Sequence, residues 1–269
     1  MSVVTSQQIS KLYDRYSEQD VLFNKDINRA LLLNTKGIHL RCLGYQWPCI
    51  LYSSSMTSAK LVVNVKTPIK KVIEQANRMV SLNYSFLQKD KANPISFFMK
   101  AKVVSYAPYH PEKPDLNFLN LEFAHRPPDE LIFRLGELLE AQTNSNERKD
   151  ERIVMNPSVQ QDMRLHPKEG VAISIDNIPR KCILRDISFG GAKVIIFGVP
   201  TFLVNKPSLL TLKFEDPDLQ VQIAGKVLRF EEVQGRKDLA AFAIQFDEKA
   251  IPTEYKLRLN QYLKQAKRK

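Results

Sequence analysis

With 269 residues, 43% of them hydrophobic, the chain is long enough for two domains and too apolar to be disordered. Its formal net charge of +11 favours anionic partners such as nucleotides, nucleic acid or a membrane surface. No apolar run is long enough to cross a bilayer, and MSVVTSQQISKLYDRY lacks the basic start, apolar stretch and cleavage site of a signal peptide, so a cytoplasmic protein without membrane insertion is expected.

Taken in chain order, RALLLN, IHLRCL, CILYS and KLVVNV read as short strands, separated by the turn chemistry of NTKG, GYQWP and SSSMTS. TPIKKVIEQANRM reads as a helix entered through Thr67 and Pro68. Strands follow at VSLNYSFL, SFFMKAKVVSY and LNFLNLEF. RPPDELIFRLGELLEA is a second helix, with Leu131, Ile132, Leu135, Leu138 and Leu139 at helical spacing, and the polar QTNSNE after it reads as a linker.

The second half has the same grammar. Its expected strands are VQQDMRLH, VAISI, KCILRDIS, AKVIIF, LLTLKF, LQVQIAGKVLRF and LAAFAIQF, with a hairpin around Gln234 and Gly235. A helix begun by Pro252 closes the chain, carrying an apolar stripe of Tyr255, Leu259, Tyr262 and Leu263. The expected architecture is mainly β with a few helices. It has a β-rich domain over residues 1–143, a linker over 144–152, and a small closed barrel with a terminal helix over 153–269.

Charge does not separate the halves: residues 1–146 hold 18 Lys+Arg against 13 Asp+Glu, and residues 147–269 hold 22 against 16. A dedicated nucleic-acid tail would be more lopsided, and the final KQAKRK reads as a helix end whose cations complement the helix dipole. Cys42, Cys49 and Cys182 form no C-x-x-C pair and read as buried thiols, not as a disulfide or zinc framework. His39, His110, His125 and His166 are scattered outside any metal-ligand spacing. P-loop, G-x-S-x-G and glycine-rich dinucleotide motifs are absent. No catalytic residue and no metal are assigned, and no enzymatic activity is expected.

Two motifs remain. NERKDERIV places Arg148 and Arg152 four apart, and DISFGG presents Asp186-x-Ser188-x-x-Gly191. Alone, the first reads as solvated linker charge and the second as a turn between strands. Together and in this order they resemble the PilZ domain, from about Glu147 to the chain end. The two-domain layout is similar to PilZ proteins of spirochaetes and flagellar-brake proteins, in which a β-rich PilZN-like domain precedes the PilZ domain. The resemblance implies a six-stranded β-barrel with a C-terminal helix that binds cyclic di-GMP, as a second-messenger receptor with no other cofactor. It also implies a protein partner, among them flagellar motor components, and a role in motility.

By the same resemblance, Arg148, Arg152, Asp186, Ser188 and Gly191 are the ligand-binding residues. Lys149, standing where many members carry a second arginine, is an additional contact without the planar bidentate fork of a guanidinium. The chemistry is consistent: guanidinium groups pair with phosphate oxygens and grip guanine O6 and N7. A carboxylate accepts from the N1–H and N2–H₂ edge of guanine, a hydroxyl both donates and accepts, and a glycine lets a ring approach the backbone. Arg229 in GKVLRF reads either as lining the site or as an outward strand residue. The competing readings are a basic nucleic-acid-binding β-barrel protein, against which no aromatic-studded basic strand is evident, and a degenerate PilZ scaffold that binds only protein.

Overall fold

The structure, a computed structural model, describes residues 5–64, 68–88, 91–197, 201–216 and 218–267. Two compact units divide at Leu139 and Glu140, each an eight-stranded sheet with its own apolar core.

The first unit opens with α1 (Ser6–Tyr16), which the strand-oriented reading of the sequence passes over. A capping box starts it: the Thr5 side chain accepts from the Gln8 backbone, and the Gln8 side chain answers the Thr5 N–H. Thr5-x-x-Gln8 is the sequence signature of that box. Its buried residues Ile9, Leu12 and Tyr16 share one helical face. The sheet runs β1 (Val21–Leu22), β4 (Ile50–Ser54), β5 (Ser58–Asn64), β8 (Leu116–Phe123), β7 (Ile95–Pro108), β6 (Met79–Phe86), β2 (His39–Cys42) and β3 (Tyr45–Pro48).

Two assignments change in this unit. RALLLN is not a strand: Asn24 caps α2 (Lys25–Ala30) by accepting from Ile27 N–H at 2.9 Å, and only Leu33 of the run bridges to Phe86. GYQWP is not simply a turn, since Tyr45–Pro48 pairs with β2 and buries Trp47. The expected helix after KLVVNV is α3 (Ile69–Gln75), and its expected entry at Thr67 lies outside the described residues.

In α4 (Asp129–Glu147), Leu131, Ile132, Leu135, Leu138 and Leu139 all join the first core, as their spacing predicts. Unlike the expected linker, QTNSNE is helical, so the non-helical stretch shrinks to Arg148–Arg152. The physical reason is tertiary. Asn144 donates to the Oδ1 of Asn260 at 2.6 Å, and Ser145 is buried. A polar run with low helix propensity is thus held by partners that local reading does not see.

The second unit contains β9 (Ile153–Val154), α5 (Pro157–Asp162), β10 (Val171–Ile175), β11 (Ile178–Arg180), β12 (Cys182–Ile187), β13 (Gly191–Phe197), β14 (Pro207–Phe214), β15 (Leu219–Val233), β16 (Arg236–Phe246) and α6 (Thr253–Ala266). The sheet order is β11-β10-β14-β15-β16-β13-β12-β9. Its six longer strands are those expected from VAISI to LAAFAIQF; β9 and β11 are two- and three-residue additions at the ends. VQQDMRLH is not a strand: its first four residues end α5, where Asn156 accepts from Val159 N–H at 2.9 Å and Pro157 occupies the first turn, a cap-and-proline start, and only Leu165 of the run bridges to Phe214. The β15–β16 hairpin turns at Gln234-Gly235, with Gly235 at φ +77°. That left-handed conformation suits glycine.

On β16, Ala240, Phe242, Ile244 and Phe246 face the core, as the alternation predicts, together with Tyr255, Leu259 and Leu263 of α6. Cys42 and Cys49 are buried, Cys182 is partly buried, and none is in a disulfide. Burial pushes the Cys49 thiol up to about 12 and that of Cys182 to about 11, so both remain protonated thiols at neutral pH.

The hub of the polar contacts in the second unit is Asn260, which is fully buried. It accepts from Asn144, and Glu140, which receives Lys264 Nζ at 2.6 Å, lies 3.5 Å from its amide nitrogen. Asn260→Ala leaves Asn144 without that acceptor and is expected to destabilise this unit by about 1–3 kcal/mol. Chemical denaturation of the full chain reads this as a lower midpoint, and an unchanged midpoint contradicts it.

Candidate functional site

The two motifs meet because β9 pairs with β12. Ile153 lies opposite Ile187, and Val154 opposite Asp186; both isoleucines are in the core. Arg152, the residue just before β9, is thereby delivered to the end of β12. Its guanidinium donates through Nη1 to Oδ1 of Asp186. The Asp186 side chain is recessed at 13% exposure, and that of Arg152 is open at 46%.

A β-bulge aims the carboxylate. Leu184 and Ile187 both face the core although they stand three positions apart, an odd spacing that strict alternation forbids. The register of β12 against β13 shifts between Leu184 and Asp186, which leaves Arg185 as the extra residue. Asp186 is therefore turned to the outer face, where alternation alone would bury it.

Arg148 and Lys149 follow α4 directly. Arg148 N–H still bonds to the Asn144 carbonyl at 2.9 Å, and its Nε lies 3.7 Å from Oε2 of Glu151. Lys149 Nζ donates to Glu248. That bond holds the Lys149 ammonium above its usual range and the Glu248 carboxyl below its own. The backbone is tied too, since Gly190 N–H donates to the Lys149 carbonyl at 3.0 Å. The segment carrying the arginines thus lies against the DISFGG turn.

Ser188 and Gly191 occupy that turn in a different manner. Ser188 is 2% exposed; its N–H and its hydroxyl both donate to the Gly191 carbonyl, at 2.8 and 3.3 Å. The Tyr255 hydroxyl, which burial holds well above its ordinary pKa, donates to the Ser188 carbonyl. A Cβ on Gly191 would meet the Ile244 carbonyl at 2.4 Å, so the closeness of β16 alone requires glycine here. The turn is built from within by Ser188, Gly191 and Tyr255. Arg148, Lys149, Arg152 and Asp186 supply its charged groups.

Arg229 points outward: its side chain is 67% exposed and lies 3.9 Å from Glu231. Glu248, Glu231, Lys193 and Tyr255 were not singled out from the sequence as site residues. For Lys193 a signal existed, since it stands two residues after Gly191 on the outward alternation of AKVIIF. Glu248 carried none, because the fold of the chain end brings it to Lys149. Among the described residues no group of His, Cys, Asp or Glu is arranged to hold a metal ion. No helix there is long and apolar enough to cross a membrane.

Family models match nearly the whole chain, a PilZN3 domain over residues 7–142 and a PilZ domain over residues 146–265. A protein of Treponema denticola named "Cyclic di-GMP binding protein" is 39% identical over 262 residues, covering 97% of this chain and 83% of that protein. Among solved structures, the Borreliella burgdorferi PlzA protein in complex with c-di-GMP is 25% identical, covers 96% of this chain and 98% of its own, and superposes with a TM-score of 0.44. The Escherichia coli YcgR complex with c-di-GMP is 13% identical, with 91% and 88% coverage and a TM-score of 0.28. Superpositions that loose carry no argument, and membership rests on the domain matches and on the Treponema relative. The chain belongs to the PilZ family, with a PilZN3 domain followed by a PilZ domain.

Proposed function

We propose that this chain is a cyclic di-GMP receptor whose ligand is held by Arg148, Arg152 and Asp186, with Lys149 as a further contact and the Ser188–Gly191 turn as the frame. The observation that carries the reading is the Arg152–Asp186 pair, which unites two motifs more than thirty residues apart at one surface. The chemistry fits a guanine nucleotide with phosphates. Two guanidinium groups suit phosphate oxygens or the O6/N7 edge, and one recessed carboxylate suits the N1–H/N2–H₂ edge. The name of the 39% identical relative supports the same ligand.

In this reading the protein acts by binding, not by catalysis. Cyclic di-GMP exchanges internal ion pairs for ligand contacts at Arg148–Arg152, the segment that follows α4. That exchange alters the arrangement of the two domains, and a protein partner, such as a component of the flagellar motor, reads the change.

A second reading, nucleic-acid binding, draws on the first unit. Lys60 lies 4.1 Å from the Phe118 ring centre, and Arg41 lies 4.5 Å from that of Phe98. These are cation–aromatic pairs that local sequence reading did not reveal. A single-strand affinity that fell steeply with salt would support this reading, and no measurable affinity would reject it.

Three outcomes test the receptor reading. Arg152→Ala removes charge-assisted bonds worth roughly 1.5–3 kcal/mol each and should weaken cyclic di-GMP binding about a hundredfold or more. Calorimetry on the folded variant measures this, and an unchanged dissociation constant rejects the site. Cyclic di-AMP, which lacks the N1–H and N2–H₂ donors, should bind the native chain far more weakly, with Asp186→Ala narrowing the gap; equal native affinity for both dinucleotides rejects the role of Asp186. Finally, saturating cyclic di-GMP should shift the distance distribution between spin labels placed one in each domain. Superimposable distributions with and without ligand reject the rearrangement.

A further inference from the structure

The outer face of the second sheet carries one more cation beside the site. Strand register sets Asp186 of β12 opposite Lys193 of β13, Lys193 opposite Ala243 of β16, and Ala243 opposite Arg229 of β15. Adjacent strands lie about 4.8 Å apart, so Lys193 emerges one strand spacing from the carboxylate. Its neighbours Ala192 and Val194 are core residues, which fixes the lysine on the outer face with Asp186.

Lys193 does not turn to Asp186. Its Nζ donates to Oε2 of Glu231 on β15 at 2.5 Å. Since β16 lies between β13 and β15, the side chain crosses over that strand. The outward-facing residues it passes are alanines: Ala243, paired with Lys193, and Ala241, paired with Glu231. Both are buried, at 8% and 1% exposure, although neither joins the apolar cluster of this unit. The Lys193 side chain is itself only 18% exposed. Small residues on β16 thus give the lysine stem room to lie across that strand, folded away from Asp186.

We propose that Lys193 is a further ligand-contacting residue of the cyclic di-GMP site, directed at a phosphate, and that Glu231 holds it in reserve across β16 until the ligand competes for it. This rests on the receptor reading given above. An ammonium on a four-carbon stem is a mobile point charge for phosphate. It moves from Glu231 toward Asp186 by rotamer changes alone, with no backbone shift. Glu231, like any glutamate at neutral pH, is an ionised competitor, and its hydrogen bond from Lys193 holds its carboxyl below the usual range. Arg229, 3.9 Å away, gives Glu231 a second cation when Lys193 leaves, so the carboxylate is not stranded.

The test is a double-mutant cycle read by calorimetry with cyclic di-GMP on the full chain, each variant checked for unchanged melting. Lys193→Met keeps the stem over the alanines and removes the charge. It should weaken binding about tenfold, while Lys193→Arg retains most of the affinity. Glu231→Gln frees the lysine and should tighten binding about two- to fivefold. In the Lys193→Met background the same Glu231→Gln change should have no effect. The proposal is overturned if Lys193→Met binds as the native chain does. It is equally overturned if Glu231→Gln tightens binding by the same factor with and without Lys193, which would be a general charge effect. Arg152→Ala separates the two levels: if the native chain binds, Arg152→Ala abolishes binding and Lys193→Met does not weaken it, only this inference falls. A native chain that does not bind overturns both.

Discussion

Everything at the candidate site depends on two residue pairs of β9 against β12. Ile153 opposite Ile187 in the core sets Arg152 beside Asp186, and the Gly190 N–H to the Lys149 carbonyl ties the same segment to the turn. The isoleucine contact is apolar, and burying such a side chain is worth about 1.5–3 kcal/mol. An ordinary core interaction therefore positions a surface charge pair. The bulge at Arg185 completes the arrangement by turning Asp186 outward where alternation would bury it.

The electrostatics follow from that placement. Each cation of the candidate site, and Lys193 proposed beside it, has a carboxylate: Arg148 has Glu151, Lys149 has Glu248, Arg152 has Asp186 and Lys193 has Glu231. All four pairs are at least partly open to solvent, where an ion pair is worth about 0–1 kcal/mol. In the proposed receptor, exchange for ligand contacts would cost little per pair, while the cations stay ordered on one surface. The receptor would trade internal partners for ligand and discriminate through geometry, chiefly the bidentate fork of arginine and the recessed acceptor of Asp186. The buried members of the turn contribute differently. Ser188, Gly191 and Tyr255 hold the backbone that presents the charges, and the Ile244 carbonyl would exclude any side chain at position 191 whether or not a ligand is bound.

The regular strands were legible from residue patterns because one face of each is buried. Phe242, Ile244 and Phe246 alternate in AFAIQF and line the core as that alternation predicts. The segments that were misread have polar or mixed patterns settled by caps and distant partners. Asn24 and Asn156 start helices that run into the segments expected as strands, and Asn144 keeps a polar run helical by reaching Asn260. At the site, Asp186 and the arginines stood out through motif spacing. Glu248 did not, because the fold of the chain end brings it to Lys149 and leaves no local trace.

The most direct measurement of the central claim is a crystal structure of the full chain with cyclic di-GMP. The account predicts ligand phosphate or guanine atoms about 3 Å from the guanidinium groups of Arg148 and Arg152, with the Asp186 carboxylate on a guanine N1–H/N2–H₂ edge. A ligand seated away from these side chains, with the Arg152–Asp186 pair intact, would contradict it.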